Sequence, residues 1–269
     1  NLVTGAHTLR VWYGGKQQQR LALLGQLSET DIVHNGKDVW SYRSTTPEVT
    51  PSTLTQEQSS TLAKPGVAGI TPQAAADAAR KAIDPSTAVQ VDSTARVAGR
   101  AAYQLVLNPK DTRSLIGSVR VAIDARTSVP LRVQVFAKGS TSPAIQSGFT
   151  DVSFKTPDAS VFEFVPPAGS TVVEGSPFSS SDIPVAPDVA GTEARARAAV
   201  LGSGWTAVVE THGASPATAI LNQISTPVSG GRLVTSALIS VFITDDGTVF
   251  AGPVSGAAIQ QVAATGHGL

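Results

Sequence analysis

The sequence predicts an α+β fold: one large curled antiparallel sheet with a helix inserted part-way, followed by a small C-terminal α+β extension. Three observations carry this prediction. Short runs alternating apolar and polar residues fill residues 8–43 and 88–165, with Gly, Pro, Asn and Asp turns between them. Residues 71–83 have helical spacing. A Pro- and Ser-rich stretch then separates a tail with its own pattern. The division follows: a sheet domain over residues 1–170, a connector over 171–190, and a small domain over 191–269 packing on the first.

Residues 8–13 (T-L-R-V-W-Y) alternate, 20–24 (R-L-A-L-L) follow, and 31–34 lead through Asn35-Gly36 into 39–43 (V-W-S-Y-R). Asn-Gly between two such runs signals a hairpin, because a type I′ turn needs positive φ at both central residues. Residues 44–69, rich in Thr, Ser, Pro and Gln, read as a long loop with a short helix around 54–62. Thr71 caps a helix that Pro72 starts and that runs through Ile83, with Ala75, Ala78, Ala79 and Ile83 on one face and Pro85 stopping it. At about 20 Å it crosses roughly four strands.

Strand signals return at 89–92, 95–97, 101–107, 118–124, 131–136, 144–154 and 162–165. Val119, Val121 and Ile123 oppose Arg120, and Leu131, Val133 and Val135 oppose Arg132 and Gln134, so one face is apolar and the other wet. An open sheet of about ten strands curls and acquires a concave face. In the tail, residues 192–201 read as an Ala-rich helix, 205–211 as a strand, 216–223 as a short helix, 233–254 as a hairpin turning at Asp245-Asp246-Gly247, and 257–264 as a closing helix.

Composition narrows the function. The 269 residues carry 20 Lys+Arg against 20 Asp+Glu, with no basic cluster, which argues against nucleic acid as a partner. No cysteine is present in these 269 residues, which excludes disulfides, thiolate metal sites and a Cys nucleophile from this region. No apolar run approaches the roughly 20 residues of a membrane helix. The chain starts at Asn1 close to a strand, which points to an upstream segment where a signal peptide or lipid anchor would lie.

The four histidines, His7, His34, His212 and His267, have no metal-ligand spacing, and no nucleotide-binding or acyl-transfer motif occurs; neither cofactor nor catalytic residue is assigned. Asp31, Asp38, Asp92, Asp124 and Asp151 lie near strand ends or turns, where Asp bonds the local backbone, and a hydrolytic pair is the minority reading. What remains is apolar surface. Leu9, Val11 and Tyr13 share a face of the first strand, and Leu21, Leu23, Trp40 and Tyr42 would join them in an aromatic-rich lining. Tyr103, Leu105, Val121, Ile123, Leu131 and Val133 would extend it under the helix carrying Ala75, Ala78, Ala79 and Ile83. Alanine side chains fill little volume, so a curled sheet under this helix can keep an apolar cavity suited to acyl chains. A sixteen-carbon chain buried there gains on the order of 10 kcal/mol before ordering costs, at about 0.8 kcal/mol per CH₂.

The run D-I-V-H-N-G-K-D-V-W-S-Y at residues 31–42, preceded by L-R-V-W at 9–12, resembles the LolA-like superfamily, as do G-R-A-A-Y-Q-L at 99–105 and the strands that follow to about residue 170. It is most similar to actinobacterial proteins described as outer-membrane lipoprotein carrier LolA-like. G-W-T-A-V-V at 204–209 and S-A-L-I-S-V-F-I at 236–243 resemble the small C-terminal domain of RseB-type regulators. The resemblance implies an incomplete, half β-barrel with a helical lid, an acyl-binding cavity, an extracytoplasmic location and no enzymatic activity. Its expected partners are an acyl lipid or the acyl chains of a lipoprotein. The alternative reading is a regulatory module that senses lipids or lipoproteins and contacts a membrane protein through the C-terminal domain.

Overall fold

The computed structural model describes residues 8–25, 27–54, 85–174, 198–212, 221 and 224–269, which fold into three sheets, none closed into a barrel. Antiparallel pairing dominates. The first sheet is a meander of β1 (Thr8–Gly15), β2 (Gln18–Leu24), β3 (Glu29–Asn35), β4 (Asp38–Arg43) and β5 (Glu48–Thr53). The second comprises β6 (Thr87–Val97), β7 (Arg100–Pro109), β8 (Ile116–Asp124), β9 (Pro130–Ala137) and β10 (Pro143–Gly148). Contact density groups the chain into two compact units, Asn1–Ile70 with Val152–Pro187, and Thr71–Asp151 with Asp188–Leu269.

Several local expectations change. Asn35 pairs with Asp38, so the central residues of that turn are Gly36 and Lys37, and only Gly36 has positive φ (67°), as in the Gly-first class of two-residue turns. The type I′ signature, positive φ at both central residues, falls instead at Ala98 (50°) and Gly99 (72°). Residues 48–53, expected in a loop, form β5, whose polar composition and Pro51 hide the alternation. Residues 89–92 and 95–97 are one strand bulged between Asp92 and Thr94. The 144–154 strand stops at Gly148, and Phe162 belongs to a 3-10 turn, Ala159–Phe162, capped by Asp158.

One sheet of ten strands does not form. A short strand β11 (Thr171–Val172) pairs parallel to β5, with the Thr171 and Val173 amides donating to the carbonyls of Pro47 and Val49. The next outward-facing position on that edge is Pro51, which has no amide to donate. The edge of β5 is therefore occupied, and among the described residues no ladder joins it to β6.

The third sheet contains β12 (Ala199–Leu201), β13 (Val208–Thr211), β14 (Thr226–Val228), β15 (Gly231–Thr235), β16 (Ser240–Thr244) and β17 (Val249–Gly252), ordered β12-β13-β17-β16-β15-β14. Helix α1 (Gly256–Thr265) starts at Ser255, whose Oγ accepts from the Ala258 amide, and ends at Gly266 in the left-handed region. It buries Ile259 and Val262 against Val208, Phe242, Phe250 and Val254. Residues 199–201 are strand where helix was expected: Val200 is β-branched, and Leu201 reaches this core.

Candidate functional site

The register of the first sheet decides which side chains share a face, because directly paired residues lie on the same side. Leu9 pairs with Leu23 and Val11 with Leu21, and Leu21 continues to Ile32. Leu9, Val11, Tyr13, Leu21 and Leu23 therefore lie together as expected from alternation. Leu9, Val11 and Tyr13 are 37%, 53% and 50% exposed, while Leu21 and Leu23 are half-buried. The same face continues through His34 and Val39, both buried.

Trp40 and Tyr42 are on the opposite face. Trp40 pairs with Val33 and Tyr42 with Asp31, one step out of phase with Ile32. The two-residue turn sets His34 against Val39, so Val39, Ser41 and Arg43 take the places the aromatic pair was expected to hold. Aromatic character does not choose a face; the turn length does.

This second face has its own site. Arg20 forks onto Asp31, Nε to Oδ1 at 3.1 Å and Nη2 to Oδ2 at 2.5 Å, and its Nη1 donates to the Val161 carbonyl at 3.1 Å. The guanidinium also lies over the Trp12 ring, 5.5 Å from its centroid. Phe162 is buried against the sheet, close enough to Gly14 that a β-carbon there would sit 2.8 Å from the ring. Trp40 stacks on Phe164 with centroids 5.5 Å apart. Between these elements Arg20, Glu29, Asp31, Tyr42, Glu163, Phe164, Val165 and Pro167 line a cavity of about 320 Å³. Its signal in the sequence was Arg20 inside an apolar run, with Asp31 on the next strand, and Asp31 is engaged in an ion pair with it.

In the second sheet Tyr103, Leu105, Val121, Ile123 and Val133 share a face, with Tyr103 paired to Ile123 and Val121 paired to both Leu105 and Val133. Leu131 is fully buried and falls at the bulge between the Ala122–Arg132 and Ile123–Pro130 pairs. The tail reaches this face: Trp205 packs with Leu107, Val119, Val121 and Val133, and its Nε1 donates to Thr87 Oγ1 at 2.7 Å. Val121 and Val133 are thus core side chains, and the indole fills the space over them. Tyr103 remains 53% exposed. The lid positions Ala75, Ala78, Ala79 and Ile83 lie outside the described residues, as does His7.

Buried His34 has Nε2 at 2.8 Å from the Gly36 carbonyl, so Nε2 carries the donated proton and ties the hairpin turn. Asp124 accepts a fork from Arg100, Nε to Oδ2 at 2.5 Å and Nη2 to Oδ1 at 3.1 Å, together with the amides of Arg126 and Thr127. These bonds, the Arg100 fork first, hold its carboxyl below the usual carboxylate range. Among the described residues no group of three or more His, Asp or Glu is placed to hold a metal, and no helix is long and apolar enough to cross a membrane.

Among the described residues the first sheet is open and one of its faces keeps apolar side chains in partial contact with solvent. The chain belongs to the MucB/RseB N-terminal domain family, whose model matches residues 3–163. That span is the one whose motifs resemble the LolA-like superfamily. Among solved structures the chain is similar to MucB of Pseudomonas aeruginosa in its complex with MucA, at 17% identity over 96% of this chain and 86% of that one, TM-score 0.42. MucB bound to MucA(peri) aligns at 18% identity over 96% and 85%, TM-score 0.43. A LolA superfamily protein from Nitrosomonas europaea aligns at 13% identity over 49% and 56%, TM-score 0.17. No curated protein matches the chain.

Proposed function

We propose that this chain is an extracytoplasmic, non-enzymatic binding module that takes up acyl chains of a lipid or lipoprotein on the apolar face of its first sheet. The observation that carries this reading is the row of Leu9, Val11 and Tyr13, backed by Leu21 and Leu23, on one face and substantially exposed. A cluster of this kind on a sheet is costly in water unless something apolar covers it. Protein purified from its native envelope should carry extractable lipid, read by native mass spectrometry. Val11→Asp and Leu23→Asp should each empty it without unfolding it, and wild-type protein recovered empty would refute the reading.

A second reading, a regulator that hands the lipid signal to a membrane protein, is favoured by the MucB/RseB family, one of whose members is solved bound to MucA. Its test is capture of an envelope membrane protein by the intact chain, with loss on Val209→Asp, an exposed position of the third sheet turned away from the Val208 core. Lipid retention without any such partner leaves the carrier reading in place.

A further inference from the structure

We infer that Gln19 and His34 hold a hydroxyl group of the acyl ligand at one end of the apolar face of the first sheet. This rests on the acyl-binding reading above and adds what that face selects. Cross-strand rows make up the face: Leu9 with Leu23, Val11 with Leu21 and Ile32, and Tyr13 with Gln19, His34 and Val39. Successive rows lie about 7 Å apart along the strands. The first two are apolar across β1 and β2, and the third is where polar groups enter.

Two of those groups are buried and unpartnered. His34 is 3% exposed. Its Nε2 is committed to the Gly36 carbonyl, so in the neutral ring Nδ1 is an acceptor, and it is buried without a hydrogen-bond partner. Gln19 Nε2, a donor on the directly paired residue, is buried and equally unpartnered. The two β-carbons stand about 5 Å apart, yet the groups do not bond each other. Buried polar groups are almost always satisfied, and one that is not costs the fold its desolvation. On the opposite face of the same strands the polar side chains are paired: Gln18 Nε2 donates to Asn35 Oδ1, and Arg20 forks onto Asp31.

The pair defines the chemistry of its ligand group, which must accept from Gln19 and donate to His34. A hydroxyl does both with one oxygen. A carboxylate only accepts and would set its lone pairs against Nδ1, and an ester has no proton to donate. The ligand class is therefore a hydroxylated acyl lipid, with the hydroxyl carried by a glyceryl head or by the chain itself. Gln19 as a whole is only half-buried, so a small movement of its flexible side chain opens the pair to a ligand lying on this face. A site built to bond a hydroxyl rejects the analogue that lacks it, because its buried groups are then left unpaired.

Delipidated full-length chain titrated with monopalmitoylglycerol, methyl hydroxypalmitate, methyl palmitate and palmitate tests this. One or both hydroxylated lipids should bind at least about tenfold more tightly than methyl palmitate, and which does so locates the hydroxyl on head or chain. Gln19→Leu should bring that ratio close to one while the melting midpoint falls no lower than wild type, because an unsatisfied donor has been removed. His34→Phe should also erase the preference, but it cuts the tie to Gly36, so Gln19→Leu decides if circular dichroism shows His34→Phe unfolded. The Nδ1 nitrogen resonance of His34 should move on binding the preferred hydroxylated lipid and stay in place with methyl palmitate. Equal affinity for methyl palmitate and both hydroxylated lipids, tightest binding of palmitate, or a preference that survives Gln19→Leu would each overturn the hydroxyl assignment and leave the acyl reading standing. Binding of none of the four would overturn both.

Discussion

Arg20 and Asp31, on neighbouring strands of the first sheet, form a two-pronged ion pair whose third guanidinium nitrogen holds the carbonyl of Val161, 141 positions along the chain. One side chain thus ties the start of the chain to the turn that covers its second face. Arg20→Leu leaves the buried Asp31 carboxylate alone and should lower stability by about 2–3 kcal/mol, less than a fully buried pair because Arg20 is 29% exposed. Arg20→Lys should recover little, since an ammonium cannot reproduce the fork. Denaturant unfolding gives the first quantity, and faster hydrogen exchange at the Val161 amide checks the tether.

Trp40→Ala separates the two faces of this sheet. Losing the stack on Phe164 and part of its burial should cost about 2 kcal/mol. Acyl loading should be unchanged, because the indole lies on the side away from Val11. Lipid content falling with Trp40→Ala as it does with Val11→Asp would place the ligand on the wrong face here.

Trp205 anchors the tail to the second sheet. Trp205→Ala removes the side chain covering Leu107, Val119, Val121 and Val133 and should cost about 3–5 kcal/mol, whereas Trp205→Phe loses chiefly the bond to Thr87, about 1 kcal/mol. Thermal midpoints of the two variants rank these contributions.

Ala98 sits at φ 50°, where a β-carbon is strained and an asparagine is better tolerated. Ala98→Asn, which places Asn-Gly in this type I′ turn, should raise stability by about 1 kcal/mol. An unchanged or lower melting midpoint would contradict the turn geometry.

Acid should weaken the fold in a defined window. Asp124 is held below its ordinary range by Arg100, then by Thr127 and Arg126, and Asp111 is lowered to about 2 by Arg113. A carboxyl depressed in the folded state stabilises above its unfolded value, about 3.9, and that contribution is lost as pH falls through the folded one. The melting midpoint should therefore drop as pH falls from about 4 toward 2 and below. Asp124→Asn should be less stable than wild type at neutral pH, with the gap narrowing as acid is added.

Much of this was legible in the sequence where one face of a strand is apolar. Residues 8–13, 118–124 and 131–136 alternate cleanly, and each strand found there lies within two residues of that pattern. β5 was hidden because Glu48–Thr53 has a single large apolar residue and a proline. The side taken by Trp40 and Tyr42 depended on where a two-residue turn falls, and Asn35-Gly36 displaced by one position gives no compositional sign. The Arg20–Asp31–Val161 site joins residues 141 positions apart, a separation no local pattern encodes.

The two compact units alternate along the chain, first, second, first, second. Neither can be released by a single proteolytic cut or expressed as one uninterrupted fragment. During synthesis the edge of β5 waits for residues 171–172, and the face of Leu107 and Val119 waits for Trp205. Both units stay incomplete until late in translation, which leaves apolar faces of the nascent chain uncovered in the meantime.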